Sequence, residues 1–166
     1  MSKYLEVKTQ FKSMAHLIEA LTSIYGYGTV KAGKNLPLKD YLGNIRPEKA
    51  DIVVPRRFIH PASNDLGFKK NENGVYTMII SEFDEVVASM TPQRLANELN
   101  LYGPPYSTQC KGIPNTEIKK QYNLSFIRDF AKKNRWNLSL TDKETHFEVR
   151  LKRRVTVSAK ARRSAR

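Results

Sequence analysis

Side chains able to do covalent or metal chemistry are few in this sequence, and they lie far apart. The histidines are His16, His60 and His146, Cys110 is the single cysteine, and Glu82, Asp84 and Glu85 form the only dense acidic group. A metal centre needs ligands at spacings that converge. His16 has no partner at such a spacing, and one cysteine makes neither a CxxC knuckle nor an intrachain disulfide. Lys111 follows Cys110, and a neighbouring cation can lower a thiol pKa, but no base is assignable beside it. The acidic group suits a solvated helix or loop edge better than a divalent-cation site. No phosphate loop, dinucleotide fingerprint, HExxH or GxSxG occurs, and the YGYG run at residues 25–28 reads as a loop. These residues predict no catalytic group, no metal and no cofactor.

Cations interleaved with rings are the stronger signal. Arg56, Arg57 and Phe58 fall in one predicted loop, Lys69 and Lys70 follow Phe68, Tyr102 and Tyr106 stand among prolines, and Arg135 precedes Trp136. A predicted helix carries Lys119, Lys120, Arg128, Lys132 and Lys133. The C-terminal stretch FEVRLKRRVTVSAKARRSAR holds Arg150, Lys152, Arg153, Arg154, Lys160, Arg162, Arg163 and Arg166, with no acid from Arg150 onward. Such patterns fit single-stranded nucleic acid, where cations follow phosphates and exposed rings stack on bases. Phe58, Tyr102 and Tyr106, placed in loops, are expected to be exposed; Phe68 and Trp136 read at least as well as core.

The formal net charge is +13, of which the eight C-terminal cations supply the larger part. The remainder is still basic, so the body should present a positive face, and phosphate attraction follows without sequence preference. No RNP signature, GXXG clamp or zinc-finger spacing supports sequence-specific readout. The expectation is a non-enzymatic, largely sequence-independent RNA-binding protein, or more broadly a single-stranded nucleic-acid-binding one. The alternatives are a structural or interaction protein of a ribonucleoprotein or phage assembly, docking through its basic tail, and an enzyme of unrecognised type.

These groups need a scaffold, and 166 residues suffice for one domain. Residues 1–157 read as that domain and 158–166, which hold only alanines, serines and cations, as a disordered basic tail. No apolar run approaches the ~20 residues of a membrane span. The N-terminus alternates like a strand, not a signal peptide. An intracellular, cytoplasmic protein without membrane insertion is expected.

Along the chain, residues 4–11 alternate as a strand. Ser13 caps a helix with Met14, Leu17, Ile18, Leu21 and Ile24 on one stripe, ended by Gly26 and Gly28. Residues 29–32 form a short strand candidate; 33–49 read as turn-rich, with another short strand candidate near 38–42. Residues 50–54 form a strand that Pro55 breaks or places at an edge. Residues 66–70 and 75–80 form a hairpin around NENG. Phe83, Val86 and Val87 begin a less defined element. Thr91-Pro92 starts a helix that runs to Gly103, and 103–114 read as a loop. A long helix begins at Asn115 or Thr116, with Ile118, Tyr122, Phe126, Ile127, Phe130 and Ala131 as its apolar face and the lysines largely opposite. Residues 136–140 and 146–154 close as a hairpin. The fold class is α+β, an antiparallel sheet backed by two long helices.

The opening MSKYLEVKTQF…HLIEAL, with Lys8, Thr9 and Gln10, resembles a plastid and cyanobacterial family known as hypothetical chloroplast reading frame thirty-five, or domain of unknown function twelve fifty-seven. ADIVV at 50–54, DLGF at 65–68, the helix ending near Asn134 and the strand FEVRLKRR follow in the same order. The resemblance spans most of residues 1–154 and implies a fold but no biochemical role. This chain departs from the pattern in longer insertions at 56–64 and 102–114 and in its basic tail. As a small basic chain it also looks like the shell-associated mRNA-binding group of nucleus-forming phages, chimallin C, which would imply mRNA as the partner inside an infected bacterium.

Overall fold

The computed structural model describes residues 4–143 and 147–153. Its first strand, β1 (Tyr4–Val7), leads to helix α1 (Met14–Tyr25). The Ser13 hydroxyl accepts the His16 N–H, and Gly26, at φ 99°, ends the helix in a conformation that glycine adopts without steric cost. Strands β2 (Lys31–Lys39) and β3 (Ile45–Val54) form a long hairpin, and a single 3-10 turn (Arg56–Phe58) follows Pro55. Strands β4 (Leu66–Lys70) and β5 (Tyr76–Ser81) meet at the NENG turn, where the Asn71 side chain accepts the Val75 N–H at 3.0 Å. Helices α2 (Glu82–Ser89), α3 (Pro92–Tyr102), α4 (Tyr106–Gln109) and α5 (Asn115–Lys133) precede the hairpin of β6 (Trp136–Asp142) and β7 (Phe147–Arg153).

The α+β reading holds, with two sheets instead of one. Five antiparallel strands run in the order β1-β5-β4-β3-β2, and β6 pairs only with β7. In register, Ile52 lies beside Phe68, Phe68 beside Met78 and Met78 beside Val7. Alternation therefore directs Ile52, Phe68 and Met78 to one face, where they meet Leu17, Leu21 and Tyr25 of α1 and Ile118 and Tyr122 of α5 in the main core. The Tyr122 hydroxyl accepts the backbone N–H groups of Lys12 and Ser13, each at 3.0 Å, tying α5 to the entrance of α1.

The opposite face carries a smaller core of Leu38, Ala50, Val53 and Ile79. It exists because the β2–β3 hairpin is bulged and curls over the sheet. The bulges fall between Ala32 and Leu36 and between Pro37 and Lys39. They bring Lys39 back to Asp65: the Asp65 N–H donates to the Lys39 carbonyl at 2.9 Å, and the Asp65 carboxylate accepts the Lys39 N–H at 3.0 Å. Gly67 makes the curl possible, since a Cβ there would stand 3.0 Å from Ala50 Cβ and from both Leu38 methyls.

Several expectations need correction. Residues 33–49 are not turn-rich linker but most of this hairpin; as the outermost strand, β2 tolerates Pro37 and Gly33 because one side of it has no ladder to break. The 103–114 loop contains α4. Phe83 belongs to α2, capped by Ser81 and Asp84 in a reciprocal capping box. In α5, Phe126 and Phe130 are 53% and 41% exposed, not core, and Leu124 is buried instead. Two contacts explain that: α5 packs on α1 and the main core through Ile118, Tyr122 and Ser125, and carries the β6–β7 hairpin on another side. Its hydrophobic pattern is split, and no single stripe describes it. The expected tail at 158–166 and the strand end at Arg154 lie outside the described residues. No helix among those described is long and apolar enough to cross a membrane.

Candidate nucleic-acid interface

A cleft of about 520 Å³ opens where the curled hairpin meets the 3-10 turn and α4, walled by Lys31, Lys39, Arg56, Arg57 and Tyr106. Its floor is Val53 with Asp65. Asp65 is buried and fully engaged: one oxygen accepts the Lys39 N–H and the other the Arg56 N–H at 2.9 Å. The carboxylate thus fixes the backbones of the two cationic walls relative to one another. Among the described residues, none of Lys31, Lys39, Arg56 and Arg57 has a carboxylate oxygen within ion-pairing distance. Arg56 donates to the Tyr41 carbonyl, and the Arg57 guanidinium lies 4.8 Å from the Phe58 ring centroid. Four cations against the one Asp65 carboxylate leave an excess of positive charge around the concavity, which suits an anion.

Behind the cleft, His60 is fully buried. Its Nδ1 accepts the Ala62 N–H at 3.1 Å, so the neutral ring carries its proton on Nε2, 3.1 Å from Glu98 Oε1. Burial pushes the imidazole below its usual pKa, with the Glu98 carboxylate pulling in the opposite direction. The Phe83 and Tyr102 rings pack on it at 5.5 and 5.4 Å. His60 thereby docks α3 against the turn that carries Arg56 and Arg57.

The predicted site residues do not form one surface. Arg56, Arg57 and Tyr106 converge on the cleft, and Tyr102 lies next to Tyr106 at 6.3 Å between centroids. Phe58, expected in the open, is half-buried against the main core; Phe68 is core. Lys69 pairs with Asp51 at 3.1 Å, while Lys70 is exposed at the NENG turn. On α5, Lys119, Arg128 and Lys132 are exposed and Lys133 pairs with Asp129 at 2.7 Å. Lys120 is not on a solvated face: it is 9% exposed, bonds Asp142 Oδ1 at 2.6 Å and the Lys143 carbonyl at 2.9 Å, and lies 4.3 Å from the Phe147 ring. Arg150, Lys152 and Arg153 are exposed on the hairpin. Arg154, Lys160, Arg162, Arg163 and Arg166 lie outside the described residues. Lys31 and Lys39 were missed; the acid-free run from Thr29 to Lys39, with three lysines, was the available signal.

Two other polar groups have enzyme-like composition. Ser125 Oγ lies 2.9 Å from His16 Nδ1, and His16 Nε2 lies 3.8 Å from Asp129 Oδ2. The Ser125 hydroxyl also donates to Glu19 Oε2 at 2.5 Å, and the set latches α1 to α5. Asp84, 0% exposed, accepts from Ser81 N–H and Oγ and from Ser63 Oγ, and so belongs to a buried cap, not to the solvated edge expected of it. Cys110 is buried, donates weakly to the Arg57 carbonyl, and has its thiol pKa pushed up to about 11 by burial, which outweighs Lys111. Among the described residues no three His, Cys, Asp or Glu side chains are grouped to hold a metal ion. Compared with protein-family models, with curated proteins and with solved structures, the chain matches none.

Proposed function

We propose that this protein binds single-stranded RNA, or single-stranded nucleic acid more broadly, without catalysing a reaction and largely without sequence preference. One observation carries the reading: Lys31, Lys39, Arg56 and Arg57 surround one cleft with no carboxylate partner, and Tyr106 contributes a ring to its wall. The cations take phosphates and the ring takes a base. The basic sequence beyond Arg153 adds phosphate contacts in the same mode. Titrating labelled single-stranded RNA across salt concentrations tests it. Four phosphate contacts correspond to a log–log salt slope of about −3 for single strands. Changing Lys31, Lys39, Arg56 and Arg57 to glutamine should flatten the slope by about that amount for unrelated RNA sequences alike. Intact protein that binds no RNA at low salt ends the reading.

A second reading, an interaction protein of an RNA–protein or phage assembly, is favoured by Tyr41, Leu42 and Ile45, exposed at the β2–β3 turn beside the cleft. Leu42→Ser with Ile45→Ser should leave RNA affinity unchanged under the first reading.

A further inference from the structure

Helix α5 is buried on two sides, and between them runs an exposed strip: Lys119, Asn123, Phe126, Phe130 and Lys133. These positions recur at i, i+4, i+7, i+11 and i+14, which keeps them on one line along the helix. Two rings stand in the middle and a cation at either end. Phe126 leans its ring edge-on against His16 at 5.6 Å, and Phe130 meets Trp136 edge-to-face at the same distance, so both rings are held while their outer faces remain open. Arg153 sits opposite Trp136 in the β6–β7 register, and the acid-free end of the sequence continues from it.

We infer that this strip is a second, stacking site for single-stranded nucleic acid, separate from the cleft; the nature of the ligand rests on the reading above. Charge favours this occupant over a second copy of the chain. In a self-paired strip Lys119 would face Lys133 or itself, a like-charge contact that the Asp129 partner of Lys133 reduces without cancelling, whereas a phosphate backbone complements both lysines. The rings offer what phosphate attraction cannot, a contact with bases that any sequence can make. The cleft is walled by residues of the curled hairpin that packs over one face of the five-stranded sheet, while α5 covers the other. A strand engaging both sites must therefore pass around the body.

Trp136, the single tryptophan, reports on the strip and not on the cleft. Uridine oligonucleotides should quench its fluorescence, and abasic oligonucleotides of equal charge should not. Phe126→Leu with Phe130→Leu keeps both side chains apolar and removes the rings; it should weaken binding about tenfold or more, with the salt slope unchanged. The four-glutamine cleft variant should still show the quench, at higher oligonucleotide concentration. RNA that binds intact protein without quenching Trp136, or a leucine pair that binds like the parent, overturns the second site and leaves the cleft reading standing. Sedimentation showing a dimer that the leucine pair abolishes assigns the strip to a second copy and overturns it as well. Absence of all RNA binding removes the cleft reading itself.

Discussion

The two sheets of this molecule are built on different terms. In the five-stranded sheet, Leu38, Ile52, Val54, Leu66 and Phe68 are fully buried, because both faces are covered. In the β6–β7 sheet no described residue is fully buried: Trp136, Leu138, Leu140, Phe147, Val149 and Leu151 are half-covered, and the alternate positions are exposed. An isolated two-stranded hairpin is marginal in water, so this one depends on α5. The cleft rests on the first sheet and inherits a rigid frame. The hairpin cations Arg150, Lys152 and Arg153 rest on the second, where position costs less to change.

The largest test of that difference is a pair of truncations. Phe68→Ala removes a fully buried ring from the main core and should cost about 3–5 kcal/mol. Leu138→Ala in the half-covered hairpin should cost roughly 1 kcal/mol, in proportion to the smaller area it hides. Chemical denaturation of both variants checks this, and equal costs would mean that the hairpin is as integral as the sheet.

Next in size is the lysine that holds the hairpin. Lys120→Met keeps the aliphatic stem but removes the bonds to Asp142 and the Lys143 carbonyl and the charge over Phe147. Hydrogen bonds to charged groups contribute about 1.5–3 kcal/mol. Amide exchange should therefore quicken in β6 and β7 while β3, β4 and β5 keep their protection. Uniform loss across both sheets would contradict a separately docked hairpin.

What the amino-acid order made legible follows the same division. Local signals were readable wherever one residue type meets one backbone need: Ser13 and Thr91-Pro92 at helix starts, Gly26 and Gly103 at helix ends, Asn-Gly in the β4–β5 turn. The β2–β3 hairpin was not, since Gly33, Asn35 and Pro37 read as turn and only the edge position and the bulges make them strand. The phase of α5 was misread for the opposite reason: two buried sides spread its apolar residues around the helix, and Phe126 and Phe130 looked like core. Of the cleft, Arg56, Arg57 and Tyr106 were nameable, but their meeting with Lys31 and Lys39 depends on a fold-back that no spacing encodes.

A smaller effect separates the cleft wall from the rest by pH. The buried His60 has a depressed pKa, so the unfolded chain takes up the proton first. Its contribution is intact above the ordinary imidazole pKa of about 6.5 and is lost as pH falls below it, because protons then favour the unfolded state. Glu98 and Asp84 moderate the loss by favouring the charged ring. Denaturation midpoints should decline as pH falls below about 6.5, and His60→Gln should remove that part of the slope. A decline unchanged in His60→Gln would place its origin in the carboxylates.

The smallest single effect expected is that of Phe126→Ala in α5, the element both sheets share, set against its neighbour Leu124. Leu124 and Phe126 are two residues apart on one helix, yet one is 4% exposed and the other 53%. Leu124→Ala should cost about 2–4 kcal/mol, as a buried leucine does. Phe126→Ala, despite removing the larger side chain, should stay within about 1 kcal/mol, since most of what it loses was never taken from water. The comparison is sharp because helix propensity favours alanine over both residues, so any intrinsic gain offsets the two losses alike in direction. If Phe126→Ala melts with Leu124→Ala, the ring is buried in solution, the strip between the two sheets closes, and no base can reach it. If it melts with the parent, α5 holds two packed sides and one open line, and the rings on that line are free to contact a ligand.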